Sequence, residues 1–180
     1  MSYLSHESPP SFLKKGYLFS KHLIIDGVPF CTIFLSAWMS LIQIPGLSFI
    51  TPAYGSCAVF FWCLSRPELL PLGLLALTGI IVDVIAGGIL GQTALLWFLI
   101  YLFTLPQRRH LVKTSFALIW VSFGLVIFLS NLIVSFIFWI LKGVVISPFI
   151  FSIYFLLTLG VYPFISLGLT RLNKKLREVP

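Results

Sequence analysis

The sequence predicts an all-α fold: a polytopic membrane protein with six transmembrane helices and both termini cytoplasmic. Three observations carry this expectation. Of 180 residues, 59% are hydrophobic and only 9% are charged, at a mean hydropathy of +1.06. A soluble domain of this length could not cover so much apolar surface with so few charges. The apolar residues fall into six stretches with clear punctuation between them, and nearly all basic residues fall in alternate connections.

The first stretch, 28–44, follows a segment of more than twenty mixed polar residues and ends at Pro45-Gly46. That leading segment lacks the pattern of a cleavable signal. Within it, residues 12–25 place Lys14, Lys15, Lys21 and His22 on one side of a helix and Phe12, Leu13, Tyr17, Leu23 and Ile24 largely on another. An amphipathic helix on the lipid surface and a basic tail without fixed structure are both open readings. The second stretch, 52–65, stops at Arg66-Pro67-Glu68, and the third, 69–86, at Gly87-Gly88. The fourth, 91–105, ends at Pro106-Gln107-Arg108-Arg109, the fifth, 114–141, at Lys142-Gly143, and the sixth, 147–169, at a basic tail. The domain division is therefore a basic segment 1–27, a six-helix membrane domain 28–170 and a cytoplasmic tail 171–180.

The second and fourth stretches are shorter than the ~20 residues of an ordinary spanning helix. Charge decides whether they span. With six crossings, eleven of the twelve lysines and arginines share one side and Lys142 alone takes the other. If 52–65 did not cross, the division would be eight against four. The positive-inside rule selects six spans. Trp62, Trp120 and Trp139 lie near predicted segment ends, where interfacial tryptophans gather, while Trp38 and Trp97 do not.

Asp83 is the one ionisable residue placed deep in an apolar stretch, where a carboxylate costs ~2.5–3.5 kcal/mol on insertion scales. Helical spacing puts Gly79, Asp83 and Gly87 on one low-bulk face suited to another helix, with Ala76 and Ala86 nearby. Gln43, Gln92, Thr93 and Asn131, with Ser130 and Ser135 beside it, also fall toward the outer side. The unpaired amides that open the fourth helix point to that side too, and a carboxylate there would be held by hydrogen bonds and the helix dipole. Three roles are open for Asp83: a cap that locks the hairpin at Gly87-Gly88, a polar docking point for a partner, and ion or proton coupling. The cap is favoured, because one acid without a second titratable partner is a poor relay. In the first helix Thr32, Ser36 and Ser40 recur every fourth residue. This small-residue stripe serves either internal packing or docking of another membrane protein.

Most chemistry is missing. An intramembrane aspartyl protease needs two acids to share a proton, and Asp83 stands alone. A serine nucleophile needs a base, yet His6, His22 and His110 all lie outside the spans, so Gly55-Ser56 reads as a packing pair. There is no HExxH and no phosphate-binding glycine loop. Cys31, Cys57 and Cys63 form no CxxC pair and read as small apolar fillers. No enzyme activity, catalytic residue, cofactor, metal or nucleic-acid partner is expected.

Residues 67–95 resemble the bacterial rod-shape-determining MreD family. The pattern is Pro71-Leu-Gly73, then Thr78-Gly79 leading to Asp83 and Gly87, then Gly88 through Gly91-Gln-Thr to Ala94-Leu95. The family's Gly-x-x-x-Asp helix, glycine turn and Leu-Gly start to the next helix map onto Gly79, Asp83, Gly87 and Gly91. The resemblance implies a non-catalytic subunit of the cell-wall elongation complex in the bacterial cytoplasmic (inner) membrane. It would maintain cell shape by scaffolding a bitopic MreC-like protein, the MreB filament, the RodA glycosyltransferase and a class B penicillin-binding protein. The family is also similar in architecture to the substrate-binding subunits of energy-coupling-factor transporters. That similarity implies the alternative, a membrane subunit binding a vitamin or other small solute.

Overall fold

A computed structural model describes residues 27–40, 52–143 and 147–178, with side chains described as far as Lys175. The basic segment 12–25 and Gln43 lie outside the described residues. The elements are α1 (Gly27–Ser40), α2 (Tyr54–Ser65), a 3₁₀ turn (Pro67–Leu69), α3 (Leu72–Ala86), α4 (Gln92–Leu111), α5 (Phe116–Lys142) and α6 (Pro148–Glu178). Among the described residues there is no strand.

The core is built round α2. Its composition is apolar on every side, the pattern of a helix surrounded by protein or by lipid. Every residue from Gly55 to Leu64 is buried. Helices α4 and α6 pack on it, α3 packs on α4, and α5 bridges α4 and α6. Helix α1 closes the remaining side, because Gly55 leaves room where a Cβ would stand 3.2 Å from that of Ala37. Phe60, Phe123 and Tyr162 join α2, α5 and α6 in one aromatic cluster, with the last two rings stacked at 4.3 Å.

Helices α5 and α6 are long and apolar enough to cross a membrane. Their most apolar stretches are only 28% and 17% buried, so neither is the enclosed core helix of a soluble domain. Leu125, Leu132, Phe136, Leu156 and Phe164 all face outward. The buried positions of α6, Thr158, Tyr162, Ser166, Leu169 and Asn173, recur at helical spacing and form a single stripe.

Successive helices run in opposite directions. The start of α2, the end of α3, the start of α4 and the early turns of α6 meet round one set of side chains, at what we call the hairpin end. The end of α2, the end of α4, the start of α5 and the later turns of α6 meet at the other, the basic end. Among the described residues, Arg66, Arg108, Arg109, Lys113, Arg171, Lys174 and Lys175 belong to the basic end and Lys142 to the hairpin end.

Several boundaries differ from the sequence expectation. Pro106 sits inside α4, which continues through Arg108, Arg109 and His110 to Leu111. Leu102, four residues earlier, whose carbonyl loses the donor that Pro106 lacks, lies on the exposed side with Pro106 itself. The segment from residue 171, expected as a basic tail, continues α6 as a helix to Glu178, where Leu172 and Asn173 extend the inward stripe of Leu169. Trp62 is not interfacial. It is fully buried, and its Nε1 donates to Thr32 Oγ1 at 2.8 Å. Gly87 does not share a helical face with Gly79 and Asp83, because α3 ends at Ala86 and Gly87 turns away in a left-handed conformation.

The second internal proline, Pro163, removes the donor that would meet the Leu159 carbonyl inside α6. Trp120 Nε1 takes its place, donating to Leu159 O at 2.9 Å across the α5–α6 contact.

The tightest helix contact is at Gly79, where an added Cβ would stand 2.6 Å from Ala94 Cα and 2.8 Å from its nitrogen. Backbone cannot yield as a side chain does, so Gly79→Ala should destabilise the protein by about 1–3 kcal/mol. Gly73→Ala, with open space round the new carbon, should be neutral or stabilising by up to about 1 kcal/mol. Thermal melting in one detergent checks both, and equal melting temperatures would refute the close-approach reading.

Candidate functional site

The hairpin end is assembled by glycine and one carboxylate. Gly87, at φ +64°, ends α3 in the left-handed conformation that costs glycine least, and the Gly87 and Gly88 amides return to the carbonyls of Val84 and Asp83. Gly91, at φ +87°, turns the chain into α4. As a glycine it has no side chain to cap the helix it opens.

Asp83 supplies that cap from the neighbouring helix. Its Oδ2 accepts the Gly91 amide at 2.8 Å, and the Thr93 amide lies 3.1 Å from both carboxylate oxygens. The Gln92 amide turns back to Ile89 O. The amides of Gly91, Gln92 and Thr93, among the orphan donors at the start of α4, are thus met. Negative charge at a helix N-terminus adds a favourable dipole interaction. Asp83 is only 4% exposed, so these bonds replace the water it has lost. Gly79 makes the arrangement possible: with its missing Cβ the helices close on Ala94, and one turn later Asp83 reaches the first turn of α4.

Two cavities flank this cap. One, of about 210 Å³, lies among α1, α2, α3, α4 and α6, with Ser40, Ser56, Thr93 and Tyr154 as its polar lining. The other, of about 220 Å³, lies among α4, α5 and α6 and presents Gln92, Asn131 and Ser135. Thr93, Leu96 and Tyr154 line both and stand between them.

The predicted residues separate into groups. Gly79, Asp83 and Gly91 converge on the cap, and Gly87 forms the turn beside it. Asn131 lines the second cavity and donates within its own helix to Ile127 O at 2.8 Å. Its neighbour Ser130 is fully buried with no partner for its hydroxyl. The α1 stripe faces inward: Thr32 accepts from Trp62, Ser40 donates to Pro52 O at 3.2 Å, and Ser36 is half-buried between them.

Sequence reasoning missed a second cap. Arg108 extends from α4 to the end of α2, where its Nε donates to Leu64 O at 3.0 Å and its guanidinium also reaches Ser65 O at 3.5 Å and Glu68 at 3.4 Å. At the other end of α2, the Ala53 amide donates to Thr158 Oγ1 at 3.2 Å. The available signal for Arg108 was a cation at the edge of an apolar stretch facing the end of another. Among the described residues no three His, Cys, Asp or Glu side chains gather as metal ligands. Compared with models of known protein families, with curated proteins and with solved structures, the chain matches none.

Asp83→Ala leaves two buried amides without an acceptor and should cost about 2–4 kcal/mol, whereas Asp83→Asn keeps a carbonyl oxygen and should cost about 1 kcal/mol. Denaturant titration in micelles separates the two variants, and an asparagine as damaging as alanine would mean that charge, not acceptance, is required.

Proposed function

We propose that the chain is a six-span, non-catalytic scaffold subunit of the bacterial cell-wall elongation complex, held in the cytoplasmic membrane with both termini inside the cell. The observation that carries this reading is the Gly79–Asp83–Gly91 arrangement. These residues bear the resemblance to the MreD family, and each has a structural task in the hairpin. A frame whose one buried acid among the described residues holds two helices together suits a protein that presents fixed surfaces to partners.

The opposed helices and the segregation of charge support the topology. With the basic end cytoplasmic, the rule for positive residues is met by every described lysine and arginine except Lys142. Helix α2, about 18 Å long, is short for a ~30 Å hydrocarbon core. Its enclosure by protein keeps its ends from lipid, which is the condition under which a short helix is tolerated there. Helix α6, at about 46 Å, would project beyond the core at the basic end and carry Arg171, Lys174 and Lys175 into the headgroup and aqueous layers. Its partners in this reading are a bitopic MreC-like protein, the MreB filament, RodA and a class B penicillin-binding protein.

The alternative, a solute-binding transporter subunit, would draw on the two cavities at the hairpin end. Each is smaller than the ~300 Å³ at which ligand pockets ordinarily begin, which favours the scaffold.

Depletion in a rod-shaped host should produce round, swelling cells, with the elongation proteins recovered on an affinity-tagged chain. A vitamin-dependent growth defect with normal shape would transfer support to the transporter. For topology, single cysteines replacing Lys113 and Lys142 in a cysteine-free background should differ. Only the Lys142 position should react with an impermeant thiol reagent in intact spheroplasts; the reverse labelling would invert the orientation.

A further inference from the structure

The basic end contains a crevice of about 610 Å³, three times the volume of either cavity beside Asp83 and within the range of ligand sites. Its floor is Phe61, Leu64 and Tyr162, all buried. Its mouth is apolar as well as open: Val112, Phe116 and Leu167 are 61%, 50% and 59% exposed. A water-soluble ligand would gain nothing from such an entrance, whereas an acyl chain would.

Arg108 gives the crevice a charged wall. A guanidinium has five N–H donors. Nε is spent on Leu64 O, while Nη1 and Nη2 make only the long contacts to Glu68 and Ser65 O, leaving two donors over. Glu68 is 68% exposed at its side chain, and an ion pair so open to solvent competes weakly for the cation. Two of the lining hydroxyls have their hydrogens already used: Ser166 Oγ donates to Pro163 O at 2.9 Å and Thr170 Oγ1 to Ser166 O at 2.6 Å. They retain lone pairs. The wall thus offers donors to an anion and acceptors to a hydroxyl, next to an apolar slot.

We propose that this crevice holds one anionic phospholipid of the adjacent leaflet, with its phosphate on Arg108, a glycerol-type headgroup hydroxyl on Ser166 or Thr170, and an acyl chain against Phe61 and Tyr162. The assignment rests on the membrane embedding proposed above. Basic pockets between helices on the cytoplasmic side are a recurrent headgroup site.

The test uses the full chain in detergent, titrated with phosphatidylglycerol or phosphatidylcholine and read by native mass spectrometry. One phosphatidylglycerol should bind at about fivefold lower concentration than phosphatidylcholine, the selectivity expected of one cation near a phosphate. Arg108→Gln should abolish that selectivity and Glu68→Gln should strengthen it. Because Arg108 also caps α2, Leu167→Trp provides an independent arm: it narrows the mouth and should weaken phosphatidylglycerol binding without lowering the melting temperature. Equal binding of the two lipids, unchanged phosphatidylglycerol binding in Leu167→Trp, or displacement of the lipid by inorganic phosphate would each overturn the proposal alone. Release of the chain from membranes by alkaline wash would overturn the embedding and the lipid site together.

Discussion

The fold depends on satisfying the ends of its helices from within. A helix meets its own interior hydrogen-bonding needs but leaves several amides at its start and carbonyls at its end without partners. In water these bond to solvent. In apolar surroundings each one left over costs several kcal/mol, so a neighbouring side chain must supply the partner. Asp83 does this for the start of α4, Thr158 and Arg108 for the two ends of α2, and Trp120 for the carbonyl that Pro163 strands in the middle of α6. In every case donor and acceptor come from different helices, so each satisfied end is also a tertiary contact.

This constraint explains why Asp83 and Arg108, two charged residues that touch the core among the described residues, differ so much in consequence. Asp83 is enclosed, with both oxygens engaged by the Gly91 and Thr93 amides that it holds in the hairpin. Arg108 lies at an open crevice with donors unspent. The first is a lock and the second a cap with capacity to spare.

Much of this was legible in the residues. An acid four positions after Gly79 and four before a glycine pair, followed by the start of another apolar stretch, announces a carboxylate beside a helix N-terminus. Helix starts and stops at Gly87, Gly91 and Gly143 were readable for the same reason, since left-handed turns select glycine. The misreadings came from local rules that tertiary contacts override. Pro106 reads as a break, yet α4 continues through it and the turns beyond carry Arg108 to the end of α2. That residues 171–178 form the helical end of α6 was not readable from their basic charge, since it follows from Leu172 and Asn173 extending the buried stripe. Trp62 reads as interfacial from its place near a segment end, but its N–H finds Thr32 thirty residues earlier. No local pattern encodes such a pairing.

The most direct test of the central claim is amide hydrogen exchange at Gly91 and Thr93 with the full chain in lipid nanodiscs. Both amides precede the first intrahelical bonds of α4 and would exchange quickly if they faced solvent or lacked a partner. Strong protection in the native chain, lost at these two positions in Asp83→Ala while the middle of α4 stays protected, is the result this account requires. Rapid exchange at Gly91 and Thr93 in the native chain would contradict it.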